Sequence, residues 1–337
     1  MRLTKLTSCS FGRRGPSVGP RFAWGNRGTL GTMSLSYVGY KNGYYWACGG
    51  YYADITAQLW RSADGTTWTQ FKVFSDPLTL NQAFVVSGLE YDATGGIYFL
   101  SATGYNPNNG TGRGYTFATN TAGSSASISY SGLDTFYGPS ADTGTIILQS
   151  VMTYSAGQTV SSFALSGWVK SSQGTFAPVC SDGRSSVTYP LKRINQIATG
   201  GGVVVVVGNY DFTAYSSNDG ATFINVIGTF SGANIGGVVY GASKFIAISE
   251  TGVVASSTNG STWAIIATLP SGITGGIAYS AGVFIAQSSN RVNSYSSADG
   301  ITWQTQALSQ SVYSNNLDGS SSLAVVGTGQ GTIYTSI

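Results

Sequence analysis

Residues Ser294–Gln306 read SYSSADGITWQTQ, and the fold turns on what Asp299 does there. An Asp set among hydroxyls and followed by Gly and Trp is either an acid for chemistry or the acceptor that shapes a turn. The same pattern stands at Leu59–Phe71 (LWRSADGTTWTQF), Ala214–Val226 (AYSSNDGATFINV) and Val254–Ile266 (VASSTNGSTWAII). Asp219, Asn259 and Asp299 follow one another at a spacing of 40 residues, and Asp64 precedes Asp219 by 155, close to four periods. A fixed period is the mark of a modular architecture. Asn259 separates the two readings, because a turn needs only the side-chain oxygen that Asn shares with Asp, whereas acid–base work needs the carboxyl. D-G or N-G between two apolar runs is a hairpin signal, since Gly accepts φ > 0. Trp68, Trp263 and Trp303, with Phe223 in the same place, then open the next strand and are expected to wedge between repeats.

Upstream of each turn stands a second block: an apolar strand, a short turn and another apolar strand. Ile235–Glu250 (IGGVVYGASKFIAISE) and Thr274–Ser289 (TGGIAYSAGVFIAQSS) show it most clearly. Ser34–Gly50, Ser87–Ala102, Gln196–Asp211 and Asn315–Gly331 match it. Each unit therefore holds four short strands in about 40 residues, the strand count and period of a β-propeller blade. Turn positions near Asp64, Asn120, Gln173, Asp219, Asn259 and Asp299 mark six blades. The C-terminus adds three more strands and lacks a fourth, which the N-terminus can supply around Pro20–Gly25, closing the ring and removing an open edge. The expected fold is all-β: one propeller of four-stranded blades over residues 18–337, seven blades, with six or eight left open by the irregular stretch 104–190.

Composition agrees. The 337 residues include 47 Gly, 21 Tyr, 15 Phe and 7 Trp, charged residues are only 9%, and there are just two Glu, Glu90 and Glu250, so long helices are not expected. The absence of His excludes Ser-His-Asp and Cys-His catalysis and His-ligated metals. Cys9, Cys48 and Cys180 form no CxxC pair and read as idle thiols, with one bridge and an odd thiol left open as the alternative. No apolar run approaches the ~20 residues of a membrane helix, and no secretory leader is evident. No glycine-rich nucleotide loop sits in a βαβ context, so no cofactor and no metal are expected. Residues 1–27 carry Arg2, Lys5, Arg13, Arg14, Arg21 and Arg27 and no acid, leaving 10 basic against 13 acidic residues in the body. The segment 1–17 is read as a basic arm that docks on an acidic partner surface, set against the plainer reading of a solvated tail. Nucleic acid is not the expected partner, because nothing else in the chain is basic.

The form S-x-D-G-x-T-W closely resembles the Asp-box, or bacterial neuraminidase repeat, of sialidases, sortilin-like receptors, photosynthesis assembly factors, xyloglucanases and phage tail proteins. It is matched at Ser62, Asp64, Gly65, Thr67 and Trp68 and at Ser297, Asp299, Gly300, Thr302 and Trp303. Ser217, Asp219, Gly220 and Thr222 match with Phe223 for Trp, and Ser257, Gly260, Thr262 and Trp263 with Asn259 for Asp. The resemblance implies a propeller whose ligand face lies opposite these turns. On that face fall Tyr51, Tyr52, Asp54, Tyr105, Asn209, Tyr210, Asp211, Glu250 and Arg291, a set suited to stacking on sugars and bonding their hydroxyls. The sialidase machinery is not matched: no R-I-P occurs, Arg193-Ile194 lacks the Pro, and only Glu90 and Glu250 could partner a catalytic Tyr. The expectation is a non-enzymatic structural or adhesion protein of a tailed-phage virion, with other tail proteins and a host-surface glycan as partners. A secreted glycan-binding propeller or a glycoside hydrolase relative is the alternative.

Overall fold

The structure, a computed structural model, describes residues 24–30, 34–50, 56–75, 83–93, 95–105, 112–123, 126–133, 135–142, 146–155, 159–169, 174–176, 179–180, 193–209, 214–218, 220–226, 233–308, 317–327 and 332–336. All regular structure among these residues is strand, so no described helix is long and apolar enough to cross a membrane.

The described strands form seven sheets. In the first, β2 (Ser34–Lys41), β3 (Tyr44–Gly50), β4 (Thr56–Ser62) and β5 (Thr69–Ser75) pair in chain order. The second is β6 (Ala83–Asp92), β7 (Ile97–Tyr105), β8 (Gly112–Asn120) and β9 (Ala126–Leu133). The third is β10 (Thr135–Asp142), β11 (Ile146–Ser155), β12 (Thr159–Val169) and β13 (Gly174–Phe176). The fourth is β15 (Arg193–Gly200), β16 (Val203–Asn209), β17 (Ala214–Ser217) and β18 (Thr222–Asn225). The fifth is β19 (Ile235–Gly241), β20 (Lys244–Ser249), β21 (Val253–Ser257) and β22 (Ala264–Thr268). The sixth is β23 (Ile273–Ser280), β24 (Val283–Ser288), β25 (Asn293–Ser297) and β26 (Gln304–Ala307). The closing sheet joins β27 (Leu317–Gly319), β28 (Ala324–Gly327) and β29 (Thr332–Ser336) to β1 (Trp24–Thr29) from the other end of the chain. The first strands β2, β6, β10, β15, β19, β23 and β27 touch in succession, and β27 returns to β2, so the ring is closed.

Two details depart from expectation. The shared strand is Trp24–Thr29, later than the Pro20–Gly25 stretch, and it carries Arg27, one of the basic residues of segment 1–27. The fourth sheet gains a short fifth strand, β14 (Val179–Cys180), parallel to β18 at its outer edge. Arg2, Lys5, Arg13 and Arg14 lie outside the described residues.

Packing explains why the second strands are unbroken apolar runs. Trp46 and Cys48 of β3 pack with Leu89, Leu100 and Phe117 of the second sheet. Their neighbours Tyr45 and Ala47 pack the other way, with Val325 and Ile333 of the closing sheet. The second strands β3, β16, β20 and β24 are thus buried on both faces, which requires apolar side chains at consecutive positions such as Val203–Val207. β24 is buried throughout, whereas the outer strand β26 alternates between half-buried and exposed. Each fully buried Val, Ile, Leu or Phe is worth about 1.5–3 kcal/mol, against about 1 kcal/mol for a net hydrogen bond, so sheet-to-sheet packing carries the fold and the turns set its register.

Candidate functional site

The repeated turns form first, from local bonds. Asp64 Oδ1 accepts the Ser62 hydroxyl (2.9 Å) and the amides of Thr66 (2.8 Å) and Thr67 (2.7 Å). Asp299 Oδ1 accepts Ser297 Oγ (3.0 Å) and the amides of Ile301 and Thr302 (both 2.8 Å). Asn259 Oδ1 makes the same three bonds, to Ser257 Oγ (3.0 Å), Ser261 N (3.0 Å) and Thr262 N (2.8 Å). The Asn turn therefore reproduces the Asp turns, as the oxygen-only reading requires. Two amides and a hydroxyl hold the Asp64 carboxyl well below the usual carboxylate range. At Asp299 a desolvation that raises the pKa is outweighed by the Thr302 and Ile301 amides and the Ser297 hydroxyl, and the carboxyl is again held low. Asp219 lies outside the described residues, but its turn keeps the bond from Gly220 N to Ser217 Oγ at 2.8 Å, and Phe223 is fully buried.

The glycine of each turn is fixed twice over. Gly260 has φ +72°, and a Cβ there would lie 2.8 Å from Val203 Cγ1 and 2.9 Å from Val205 Cγ2 of the preceding sheet. Gly300 meets Ile246 of the sheet before it in the same way, and Gly65 meets Leu323 of the closing sheet. The indole N–H of the motif Trp bonds the carbonyl of that glycine at 3.2 Å (Trp68), 3.0 Å (Trp263) and 2.8 Å (Trp303). The Trp rings pack against clusters shared by two sheets, as the wedge reading expects. These carboxylates are built into the architecture.

On the opposite rim, Tyr51, Tyr52, Asp54, Tyr210 and Asp211 lie outside the described residues. Tyr105 ends β7 and Asn209 ends β16, both second strands, which places them at that rim. Glu250 follows β20, and its Oε2 accepts from Asn234 Nδ2 at 2.8 Å while its amide bonds the Asn234 carbonyl at 2.8 Å. Arg291 lies in the β24–β25 loop, exposed, with φ +64° and its amide bonded to the Ser288 carbonyl at 2.9 Å. Among the described residues, the structure brings Glu250 together with Asn234. Glu90, the other Glu, is buried and receives Lys41 Nζ at 2.7 Å. Arg61, next to a turn motif, lies over the rings of Tyr44 (5.0 Å) and Phe71 (4.6 Å). Among the described residues no three His, Cys, Asp or Glu side chains gather as a metal site.

Sequence reasoning did not find the polar stitching of the ring's inner edge. An inner strand has one unpaired side, and bulges in β2 and β15 aim side chains along it. Ser36 Oγ accepts the Val86 amide of the next sheet at 2.9 Å, and Asn195 Nδ2 donates to the Ile235 carbonyl at 2.8 Å. Gln196 reaches further: its Nε2 donates to Ile277 O (2.8 Å), and its Oε1 accepts from Val238 N (3.2 Å) and Ile277 N (3.1 Å). One amide thus links the fourth, fifth and sixth sheets. A lone Gln in a strand gives no such signal, because the geometry exists only after the ring closes.

These features define the class: the chain is a β-propeller, closed by a sheet shared between its two ends. The sequence matches no family model and no curated relative. Solved propellers resemble it in fold. The WD40 propeller domain of Doa1 aligns over 93% of this chain and 97% of its own, at TM-score 0.63 and 12% identity. Virginiamycin B lyase from Staphylococcus aureus aligns over 94% and 99%, at 0.62 and 7%. YCF48 bound to D1 peptide aligns over 94% and 95%, at 0.58 and 14%. At such identities the likeness is one of fold, and the fold hosts enzymes and binding proteins alike.

Proposed function

We propose that this chain is a non-enzymatic binding propeller: a structural or adhesion component of a tailed-phage virion, docking through its basic arm and meeting a host-surface glycan with the rim opposite the turns. The observation that carries the non-enzymatic reading is the fate of the acids. The Asp64 and Asp299 oxygens are committed to their own turns, Asn259 does the same work without a charge, and Glu90 and Glu250 are each bonded to a neighbour. No described pair of carboxyls faces another across a cleft, as ordinary glycoside hydrolysis requires. The virion reading is supported by the charge-poor, Gly- and Tyr-rich composition and by the resemblance of the turns to Asp-box repeats. A polypeptide partner agrees with the likeness to YCF48, whose solved structure holds a peptide.

Deleting residues 1–17 tests the docking role. The expected result is a folded propeller that no longer enters particles, and normal incorporation would refute the arm. Screening the full chain against immobilised glycans tests the rim: retention of a glycan, lost on Arg291→Ala, supports adhesion, and no retention leaves a purely structural role.

A further inference from the structure

We infer that the outer side of the seam between the fourth and fifth sheets is a docking groove for one extended, uncharged polypeptide segment, which lies along the free edge of β22 as β14 lies along β18. The register places the groove. Val205 pairs with Ser216 and Ser216 with Ile224, so Ile224 stands on the face that Val205 presents to the fifth sheet. Ala255 pairs with Ile265, and Ala255 belongs to the same shared cluster, so Ile265 stands on the face turned toward the fourth sheet. Val226, two residues after Ile224, and Trp263, two before Ile265, pack against that cluster. Ile224 and Ile265 carry its line outward, yet they are 44% and 57% exposed. Sheets that radiate from a ring stand furthest apart at their outer strands, so these two side chains flank a gap.

The next seam shows that the apolar pair is particular to this place. One period of 40 residues on, Ile224 is replaced by Ala264 and Ile265 by Thr305. Ala264 pairs with Ser256, which pairs with Ile246 of the cluster shared by the fifth and sixth sheets, and Thr305 pairs with Tyr295 of that cluster. That seam therefore ends in an exposed Ala and an exposed Thr where this one ends in two isoleucines. A single exposed apolar residue is ordinary, but a facing pair on successive sheets makes a patch.

What borders the groove selects the occupant. Strands β17, β18, β21 and β22 contain no Asp, Glu, Lys or Arg, so a charged segment such as the basic arm would leave its charge there without a partner. β18 already takes an added strand, the two residues of β14, in parallel on its outer side. β22 ends its sheet, with no described strand beyond it. The bulge at Ile266 turns the second half of β22 away, leaving a short accepting edge that ends at Ile265, on the scale of the β14 pairing. A strand added there would face β14 across the gap, cover both isoleucines and continue the packing that joins the two sheets. The groove shares no residue with the rim or the arm and stands whether or not they bind.

An N-terminally labelled, C-terminally amidated peptide of residues 174–180 (GTFAPVC, with Cys180→Ser), titrated against the full chain by fluorescence anisotropy, supplies the probe. Saturable binding is expected, with slowed hydrogen exchange of the β22 amides, and the same peptide with Val179→Lys should bind at least about tenfold more weakly. Ile224→Ala with Ile265→Thr gives this seam the residues that the next one already carries. The double variant should keep the wild-type thermal midpoint and bind the peptide at least about tenfold more weakly. Ile301→Thr, which removes an exposed isoleucine from the turn of the sixth sheet, should leave binding unchanged. Absence of saturable binding, equal binding of the Val179→Lys peptide, undiminished binding by the double variant, or slowed exchange in β18 alone overturns the groove. So does self-association of the wild-type chain that the double variant loses, which would make a second copy the occupant. If the double variant does not fold, undiminished binding by Ile265→Thr alone overturns it equally.

Discussion

Asp299 and its relatives settle the residue scale. A carboxylate that accepts two amides and a hydroxyl is stabilised in its ionised form, so the folded pKa lies below the unfolded one. The stability this adds is present above the ordinary value of 3.8 and is lost as pH falls through the lowered folded values. The double variant Asp64→Asn, Asp299→Asn should therefore still fold, because Asn259 already makes these bonds without a charge, but unfold at a somewhat lower urea concentration than wild type at pH 7 and show a flatter decline below pH 4. Asp299→Ala lacks the acceptor altogether and should cost about 1–2 kcal/mol at pH 7 in the same titration. The turn glycines carry more. Gly260→Ala faces both a left-handed backbone and the Val203 and Val205 methyls, whereas Gly43→Ala, at φ +78°, meets open space. The first should lose more than about 2 kcal/mol, the second about 1 kcal/mol, as measured by their unfolding midpoints.

At the scale of the element, a propeller strand answers to two sheets at once. That made the four-stranded unit legible: consecutive apolar residues with Gly-containing turns at a spacing of 40 describe strands buried on both faces. It also explains what stayed hidden. The third sheet, β10–β13, matches the turn motif only loosely, so its first two strands had no marker. β14 is two residues of added edge and has no pattern at all. The side chains of Ser36, Asn195 and Gln196 matter through the sheet they reach, not the strand they occupy. Gln196→Ala should leave two amides and a carbonyl of the neighbouring sheets without partners, at a cost of about 1–3 kcal/mol in chemical denaturation. Gln196→Glu should be no rescue, since a carboxylate cannot donate to Ile277 O.

For the whole molecule, closure is the organising event. β1 brings Trp24 to Ser294 Oγ (3.0 Å) and Arg27 to Thr335 Oγ1 (2.7 Å), tying residues about 300 apart in sequence. Closure by the chain ends was readable from a C-terminal unit one strand short, though the strand itself lies later than expected. Deleting residues 1–29 should leave β29 as an unprotected edge, with concentration-dependent association visible in sedimentation and a lower thermal midpoint. The deletion of 1–17 proposed above spares β1 and should do neither. The candidate binding rim was only partly legible. Composition singled out Tyr and Asn loops; among the residues described there, the Glu250 carboxylate is bonded to Asn234 and the Arg291 backbone amide to the Ser288 carbonyl.

The turn at Asn259 also bears on how the protein ages. Asn followed by Gly is prone to lose ammonia when the glycine nitrogen attacks the side-chain amide carbon. Here the Gly260 nitrogen is bonded to Ser257 Oγ at 2.8 Å, and the Asn259 oxygen is held by Ser261 and Thr262, so the attacking atom is turned away from its target. Intact-mass measurements on stored protein should show this site converting far more slowly folded than in denaturant. Where hydrolysis does return an ordinary aspartate, the product is the residue that Asp64 and Asp299 already supply. In this one turn, chemical wear leads back to the pattern of the other repeats.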